Sequence, residues 1–268
     1  MIRHVRHSLL WLAVPLVCTA TSSALAQETA VKATQAPFTA VAGELSHVEF
    51  SGDTDPWHLA SVALWSRSSA GTFIARVNYA NRFATDGVQV EADAYPRVSE
   101  KAYLYVNAGY SGATVFPEWR FGAEAFTALP GAWEASAGVR QLRFNGVPVT
   151  MLTGAVGKYV GNYWFSLRPY VRNRDGTTSA TTTLQARRYF EDGDHWLGVS
   201  VTYGGSPTER ITPDAVALTR TFGIAVNGST GLTPRLLGTW TLGHDAERLS
   251  PDNTRRRVTV TAGLRRTL

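Results

Sequence analysis

"GNYWFSLRPYVRN", Gly161 to Asn173, decides the fold. Taken at period two, Tyr163, Phe165, Leu167 and Val171 fall on one face, and Trp164, Ser166, Arg168, Tyr170 and Arg172 on the other. The first face is apolar. The second mixes rings with two arginines, unlike the lysine and glutamate surface of a sheet washed by water. The stretch reads as a strand between two dissimilar surroundings.

The same pattern recurs along the chain. "LYVNAGY" (Leu104–Tyr110), "WRFGAEAF" (Trp119–Phe126), "WEASAGVR" (Trp133–Arg140), "WLGVSVTY" (Trp196–Tyr203) and "RVTVTAGLR" (Arg257–Arg265) all alternate. No helical period competes with them. Turn signals stand between the runs, among them "LPGA" (Leu129–Ala132), "FNGVP" (Phe144–Pro148) and "NRDGTT" (Asn173–Thr178). The runs imply about 14 strands, with 12 as the alternative, and a length of about nine to eleven residues suits a tilted membrane crossing. A soluble sandwich strand averages about five or six. Tight connections ("SSAG", "LPGA", "VGN", "EDGD") alternate with longer ones, notably Gly204–Ala215 and Gly243–Thr254, and this asymmetry is typical of outer-membrane barrels.

The beginning of the chain sets the compartment. Arg3 and Arg6 precede the short apolar run Leu9–Cys18, and Ala24-Leu25-Ala26 offers a small-x-small cleavage site before Gln27. Residues 1–26 are therefore expected to be a signal peptide, 27–43 a periplasmic leader and 44–268 the barrel domain. The single cysteine, Cys18, falls in the signal segment, which excludes disulfides and cysteine metal sites from the exported part. Without Arg3 and Arg6 the formal charge of +5 drops to +3, so the basic balance gives no reason to expect nucleic acid.

One face collects Leu104, Val106, Ala108, Trp119, Phe121, Ala123, Leu197, Val199, Val258 and Val260; Gly, Ser, Thr, Asn and Arg dominate the other. Aromatic residues gather at strand ends, where Trp57, Trp119, Trp133, Tyr163, Trp196, Tyr203 and Trp240 form the expected interfacial girdles. In hydrocarbon every backbone amide needs an internal partner, so such a sheet survives by closing on itself. The fold expected is all-β, a single closed antiparallel transmembrane barrel. Its expected lumen-lining residues are Arg76, Glu91, Asp93, Arg120, Glu124, Arg140, Arg168, Tyr170, Arg172 and Arg187. Such charges either pair into a plug that stiffens the barrel or form a constriction that sorts solutes. By parity Arg220 falls on the apolar face, and Pro169 interrupts a strand that must pair on both sides.

"NRF" (Asn81–Phe83), "EADAYPR" (Glu91–Arg97), "FPEWRFGAEAF" (Phe116–Phe126), "GKYVGNYWFSLRPYV" (Gly157–Val171) and "ARRYFEDGDHWLGVSVTYGGSP" (Ala186–Pro207) occur in that order. Together they resemble the YaiO family of Gram-negative outer-membrane β-barrels, from about Glu44 to the C-terminus. The resemblance implies a barrel discussed beside envelope polysaccharide export, and it brings no catalytic residues. Its members usually end in an aromatic residue read by the barrel-assembly machinery, whereas Leu268 ends this chain and Arg266 stands two residues before it.

The search for catalytic chemistry yields weak patterns. His58 with Ser61 and His195 with Ser200 are the possible nucleophile–base pairs, and Asp53/Asp55 and Glu209/Asp214 the possible paired carboxylates. "GAVGKY" (Gly154–Tyr159) lacks the spacing of a phosphate loop, and no spacing points to a metal or cofactor. "RRRVTV" (Arg255–Val260) would meet lipopolysaccharide phosphates if it lay at the outer surface. The expected function is a non-enzymatic outer-membrane channel or export-associated barrel for polysaccharide or small solutes. A barrel enzyme acting on lipid A or phospholipid and a plugged scaffold are the alternatives. Expected partners are outer-membrane lipid, lipopolysaccharide and, during biogenesis, the assembly machinery.

Overall fold

A computed structural model describes residues 37–268 except 83, 175–176, 191–192, 206–219 and 251–252. The expected signal peptide and most of the leader lie outside the described residues. Fourteen strands follow in order: β1 (Phe38–Phe50), β2 (Trp57–Ser68), β3 (Gly71–Arg82), β4 (Thr85–Pro96), β5 (Ala102–Tyr110), β6 (Trp119–Leu129) and β7 (Trp133–Phe144). Then come β8 (Val147–Val160), β9 (Tyr163–Arg174), β10 (Thr177–Tyr189), β11 (Trp196–Gly204), β12 (Arg220–Thr233), β13 (Leu236–Ser250) and β14 (Asn253–Thr267). Each pairs antiparallel with its neighbours in sequence. β1 then pairs with β14, from Ala40 opposite Thr267 to Phe50 opposite Arg257, so the ring is complete. Closure gives every strand two partners and removes the exposed edges that an open sheet would carry.

Two expected boundaries are corrected. β1 begins at Phe38, so Phe38–Gly43 belong to the barrel, not to the leader. The stretch Gly243–Thr254, expected as a long loop, supplies the end of β13, which runs to Ser250, and the start of β14 at Asn253. Its charge density comes from lumen-facing ion pairs: Arg257 Nε donates to Asp245 Oδ2 (2.8 Å) and Arg255 Nη2 to Glu247 Oε2 (2.6 Å). The connection 111–118 lies at the end away from the barrel's termini, and β11 ends and β12 begins at that same end, but two-residue turns occur at both ends. At one of these, Asn145 and Gly146 both take positive φ (47° and 80°), the requirement of the tight hairpin that an Asn-Gly pair favours.

Alternation controls which side chains turn outward. Val106, Phe121, Val199 and Val260 are between 42 and 50% exposed on the outer surface, whereas Glu124, Arg140 and Arg168 on the inner face are 2–4% exposed. Among the described residues nothing covers the apolar outer face, and a continuous apolar belt of this size requires lipid. In the opening stretch, Trp164, Ser166, Arg168 and Tyr170 turn inward, and Tyr163, Phe165 and Leu167 outward. Pro169 also finds its account. The β8–β9 ladder lapses between the pairs Thr153–Tyr170 and Val156–Leu167, so the missing amide breaks no bond there. The Pro169 carbonyl meanwhile accepts from Thr153 Oγ1 at 2.9 Å. Arg220 is the first residue of β12, outward and exposed, so its charge stands at the strand's end and not within the apolar belt.

Candidate channel lumen

The inner face divides into two unlike walls. From β3 to β9 it carries long charged side chains. On β3–β6, Arg76 reaches Glu91 (3.6 Å) and Asp93 (3.4 Å), and Arg120 reaches Glu91 from the other side (3.4 Å). Asn107 ties these together. Its amide donates to Glu91 Oε1 (2.9 Å) and Asp93 Oδ1 (2.7 Å), and its carbonyl accepts from Arg120 Nε (3.0 Å). Tyr105 Oη donates to the same Asp93 oxygen at 3.1 Å.

On β6–β9 a single carboxylate serves two arginines. Glu124 Oε2 accepts from Arg140 Nη2 at 2.6 Å, and Oε1 from Arg168 Nη1 at 2.7 Å and Ser136 Oγ at 2.5 Å. Charged groups this deeply buried are held by paired, short, charge-assisted hydrogen bonds. Arg140 also lies over the Tyr105 ring, 4.7 Å from its centroid, and so links the two clusters.

At mid-height the wall from β10 through β14 to β2 is built of short side chains, while toward its ends it carries Arg187, Arg265 and the Asp245, Glu247, Arg255 and Arg257 group. Thr183 and Thr202 hydroxyls meet at 3.0 Å, and Thr261 Oγ1 donates to Ser46 Oγ at 2.9 Å. Ser200, Thr241 and Thr259 are buried on the same face. Because this wall is short and the opposite one long, the free space lies off-centre. It is a cavity of about 260 Å³ lined by Ser46, Ser61, Thr241, Thr259 and Thr261 on one side and Arg76, Glu91 and Arg120 on the other. Its lining runs from Trp196 and Leu237, at the starts of β11 and β13, to Trp57 and Arg257 near the opposite end. The space therefore extends along most of the barrel.

Aromatic side chains narrow both ends. At the end where β1 begins, Trp65, Tyr95, Tyr103, Tyr105 and Phe126 form one buried cluster, with Tyr103 stacked on Phe126 at 4.6 Å. At the far end the 111–118 connection folds inward. Ser111 Oγ donates to the Val88 carbonyl (2.7 Å), and Val115 and Phe116 pack against Ala80.

Of the ten expected lumen residues, Arg76, Glu91, Asp93 and Arg120 meet in one cluster and Glu124, Arg140 and Arg168 in another. Tyr170 is buried on the same inner face, and Arg172 is half-buried further along it. Arg187 lies apart from both clusters, its guanidinium 3.8 Å from the Trp196 centroid and 5.6 Å from that of Trp164.

Among the expected girdle residues, Trp119, Trp133, Tyr163 and Tyr203 are outward and exposed. Trp240 shares the outward face of Leu242 but lies within β13, not at its end. Trp57 and Trp196 are corrected. Trp57 is inside the lumen, 2% exposed, edge-on to Phe50 at 4.6 Å and beneath Arg82 at 5.1 Å; Trp196 points inward under Arg187. Both begin strands, a position that suits a girdle, but their parity matches Ser61 and Ser200 on the lumenal side. The residues that sequence reasoning missed are Asp245, Glu247, Arg255 and Arg257. Their signal was the alternation of acids in "DAE" and of arginines in "RRR", which the β13–β14 register sets opposite one another.

The proposed catalytic pairs do not assemble. His58 turns outward beside His47 (Nδ1 to Nδ1, 3.3 Å), while Ser61 turns into the lumen. His195 Nε2 accepts from the Gly231 amide (3.0 Å), and Ser200 lies five residues away, which along a strand is on the order of 16 Å. Asp53 and Asp55 are exposed in the 51–56 turn; Glu209 and Asp214 lie outside the described residues. Among the described residues, no group of three or more His, Asp or Glu is arranged to hold a metal ion.

A closed ring of membrane-length strands, apolar outside and polar inside, defines a porin-like transmembrane β-barrel. Residues 39–209 match the YaiO membrane beta barrel domain, and the chain belongs to that family. Solved structures share the fold at low identity. The CymD monoaromatic hydrocarbon channel is 7% identical with a TM-score of 0.60, covering 96% of this chain and 95% of that one. A bacterial polysaccharide outer membrane secretin is 12% identical with a TM-score of 0.56, covering 86% and 98%. Omp33 of Acinetobacter baumannii is 12% identical with a TM-score of 0.51, covering 85% and 97%. No curated protein sequence gives a significant match.

Proposed function

We propose that the protein is a non-enzymatic outer-membrane channel that lets small polar solutes, or a sugar chain, pass along the off-centre lumen. The observation that carries this reading is the cavity between the hydroxyl wall and the arginine wall, whose lining extends along most of the barrel. A structural plug would have no reason to keep one half of its lumen short. Outer-membrane barrels carry their termini on the periplasmic side, which puts the inward-folded 111–118 connection at the outer mouth.

At that outer rim Arg220, Arg248 and Arg256 share the exterior face of β12–β14, with Arg220 directly opposite Arg248. Exposed arginines at this height are suited to meet lipopolysaccharide phosphates. The "RRR" segment contributes Arg256 alone to this rim, because Arg255 and Arg257 turn inward. The test is planar-bilayer recording on the refolded protein. Ohmic steps that change when Arg76 or Arg120 is shortened support the channel. A silent barrel that is folded and inserted supports the plugged scaffold.

A further inference from the structure

Both walls turn arginines toward the passage. In the ion pairs that Arg76, Arg120 and Arg257 make along the cavity, the guanidinium is the more exposed partner, whereas in the Arg265–Asp194 pair at the end where β14 finishes the carboxylate is (41% against 15%). Arg76 is 14% exposed against 4% for Glu91 and 0% for Asp93, and Arg257 is 21% against 4% for Asp245 and 3% for Glu247. The carboxylates stand behind, against the barrel wall, and the cations stand in front. These cations also recur along the passage. Arg257 lies toward the outer end, Arg76 and Arg120 lie in the middle, and Arg265 lies close to the end where β14 finishes. Glu44 and Glu91 are the carboxylates that border the same space. Among the described residues, arginines on the inner face outnumber acids.

We infer that the passage selects anionic, hydroxyl-rich solutes, with sugars carrying a phosphate or carboxylate as the type. The inference rests on the channel reading above. Guanidinium groups lining a narrow, low-dielectric passage offset the desolvation of an anion and repel a cation, and their fork geometry matches phosphate and carboxylate oxygens. The facing wall complements a sugar. Ser61, Thr241 and Thr259 offer hydroxyls that both donate and accept, at neutral charge.

The experiment measures the reversal potential of the purified protein in planar bilayers under a KCl gradient, then adds glucose 1-phosphate or glucose. The expected reversal potential is displaced toward that of chloride, with current block by the phosphate ester and not by glucose. Replacing Arg76→Gln and Arg257→Gln together leaves their carboxylates facing the passage and is expected to remove the displacement and the block. Arg257→Lys alone is expected to keep both. Heat-modifiable gel mobility confirms that each variant is folded. An ohmic current that prefers potassium, or equal block by glucose and its phosphate, overturns the inference and leaves the channel standing. A folded, inserted protein with no current overturns both.

Discussion

Removing the carboxylate that bridges Arg140 and Arg168 gives the sharpest stability prediction. Glu124 is 2% exposed and holds both guanidiniums, at 2.6 and 2.7 Å. Glu124→Ala leaves two buried cations facing each other across β7–β9 without their shared anion. Breaking a buried ion pair by deleting one partner costs about 3–5 kcal/mol, most of it the penalty of the charge left behind. The expected loss is therefore at least about 3 kcal/mol, on the order of a hundredfold or more in the folding equilibrium. Urea unfolding of the protein in lipid bilayers, followed by tryptophan fluorescence, reads it directly. Replacing the whole cluster with neutral residues, Glu124→Leu with Arg140→Met, Arg168→Leu and Glu134→Gln, the last because the buried Glu134 loses its cation with Arg168, is expected to recover most of the loss, since no uncompensated charge remains. A Glu124→Ala protein within about 1 kcal/mol of the parent would refute the reasoning, since it would mean the triad is solvated as freely as a surface pair.

Other perturbations separate the two faces. Val199→Arg places a cation in the lipid-facing belt and is expected to cost about 2–4 kcal/mol, visible as reduced folding yield into bilayers, whereas Ser200→Ala next to it leaves the yield near that of the parent. Gly138→Ala would bring a methyl to 2.4 Å from the Ala123 carbonyl oxygen and 2.7 Å from Glu124 Cα, so backbone must move. A loss of about 1–3 kcal/mol in the same urea assay is expected. Arg187→Ala removes the cation stacked 3.8 Å from the Trp196 ring centroid, and a loss of about 2 kcal/mol is expected with a change in the fluorescence of that tryptophan.

Most of the barrel was legible because period two is a strong signal when each face meets a different solvent. Arg168 and Arg172 of β9, facing away from Phe165 and Leu167, already required a polar interior. Sequence could not place Trp57 and Trp196, since a tryptophan at a strand end suits a girdle as well as a lumenal stack. That choice depends on whether Arg82 or Arg187 arrives from another strand. The charged run Gly243–Thr254 was misread for a related reason. Its acids and arginines neutralise one another only after β13 and β14 pair, so in one dimension they resemble a solvated loop. The off-centre cavity had no local signature, because it arises from the difference in length between side chains on opposite walls.

Alternating contact with lipid and water along one strand is the most direct test of the central claim. The sole cysteine is Cys18, in the segment expected to be cleaved, so single cysteines at Val258, Thr259, Val260 and Thr261 can each carry a spin label. In bilayers, labels at Val258 and Val260 are predicted to collide with dissolved oxygen. Labels at Thr259 and Thr261 are predicted to collide with a water-soluble nickel complex. Equal behaviour at all four positions, or shielding of both threonines from the nickel complex, would contradict a lipid-facing apolar wall around a water-filled passage.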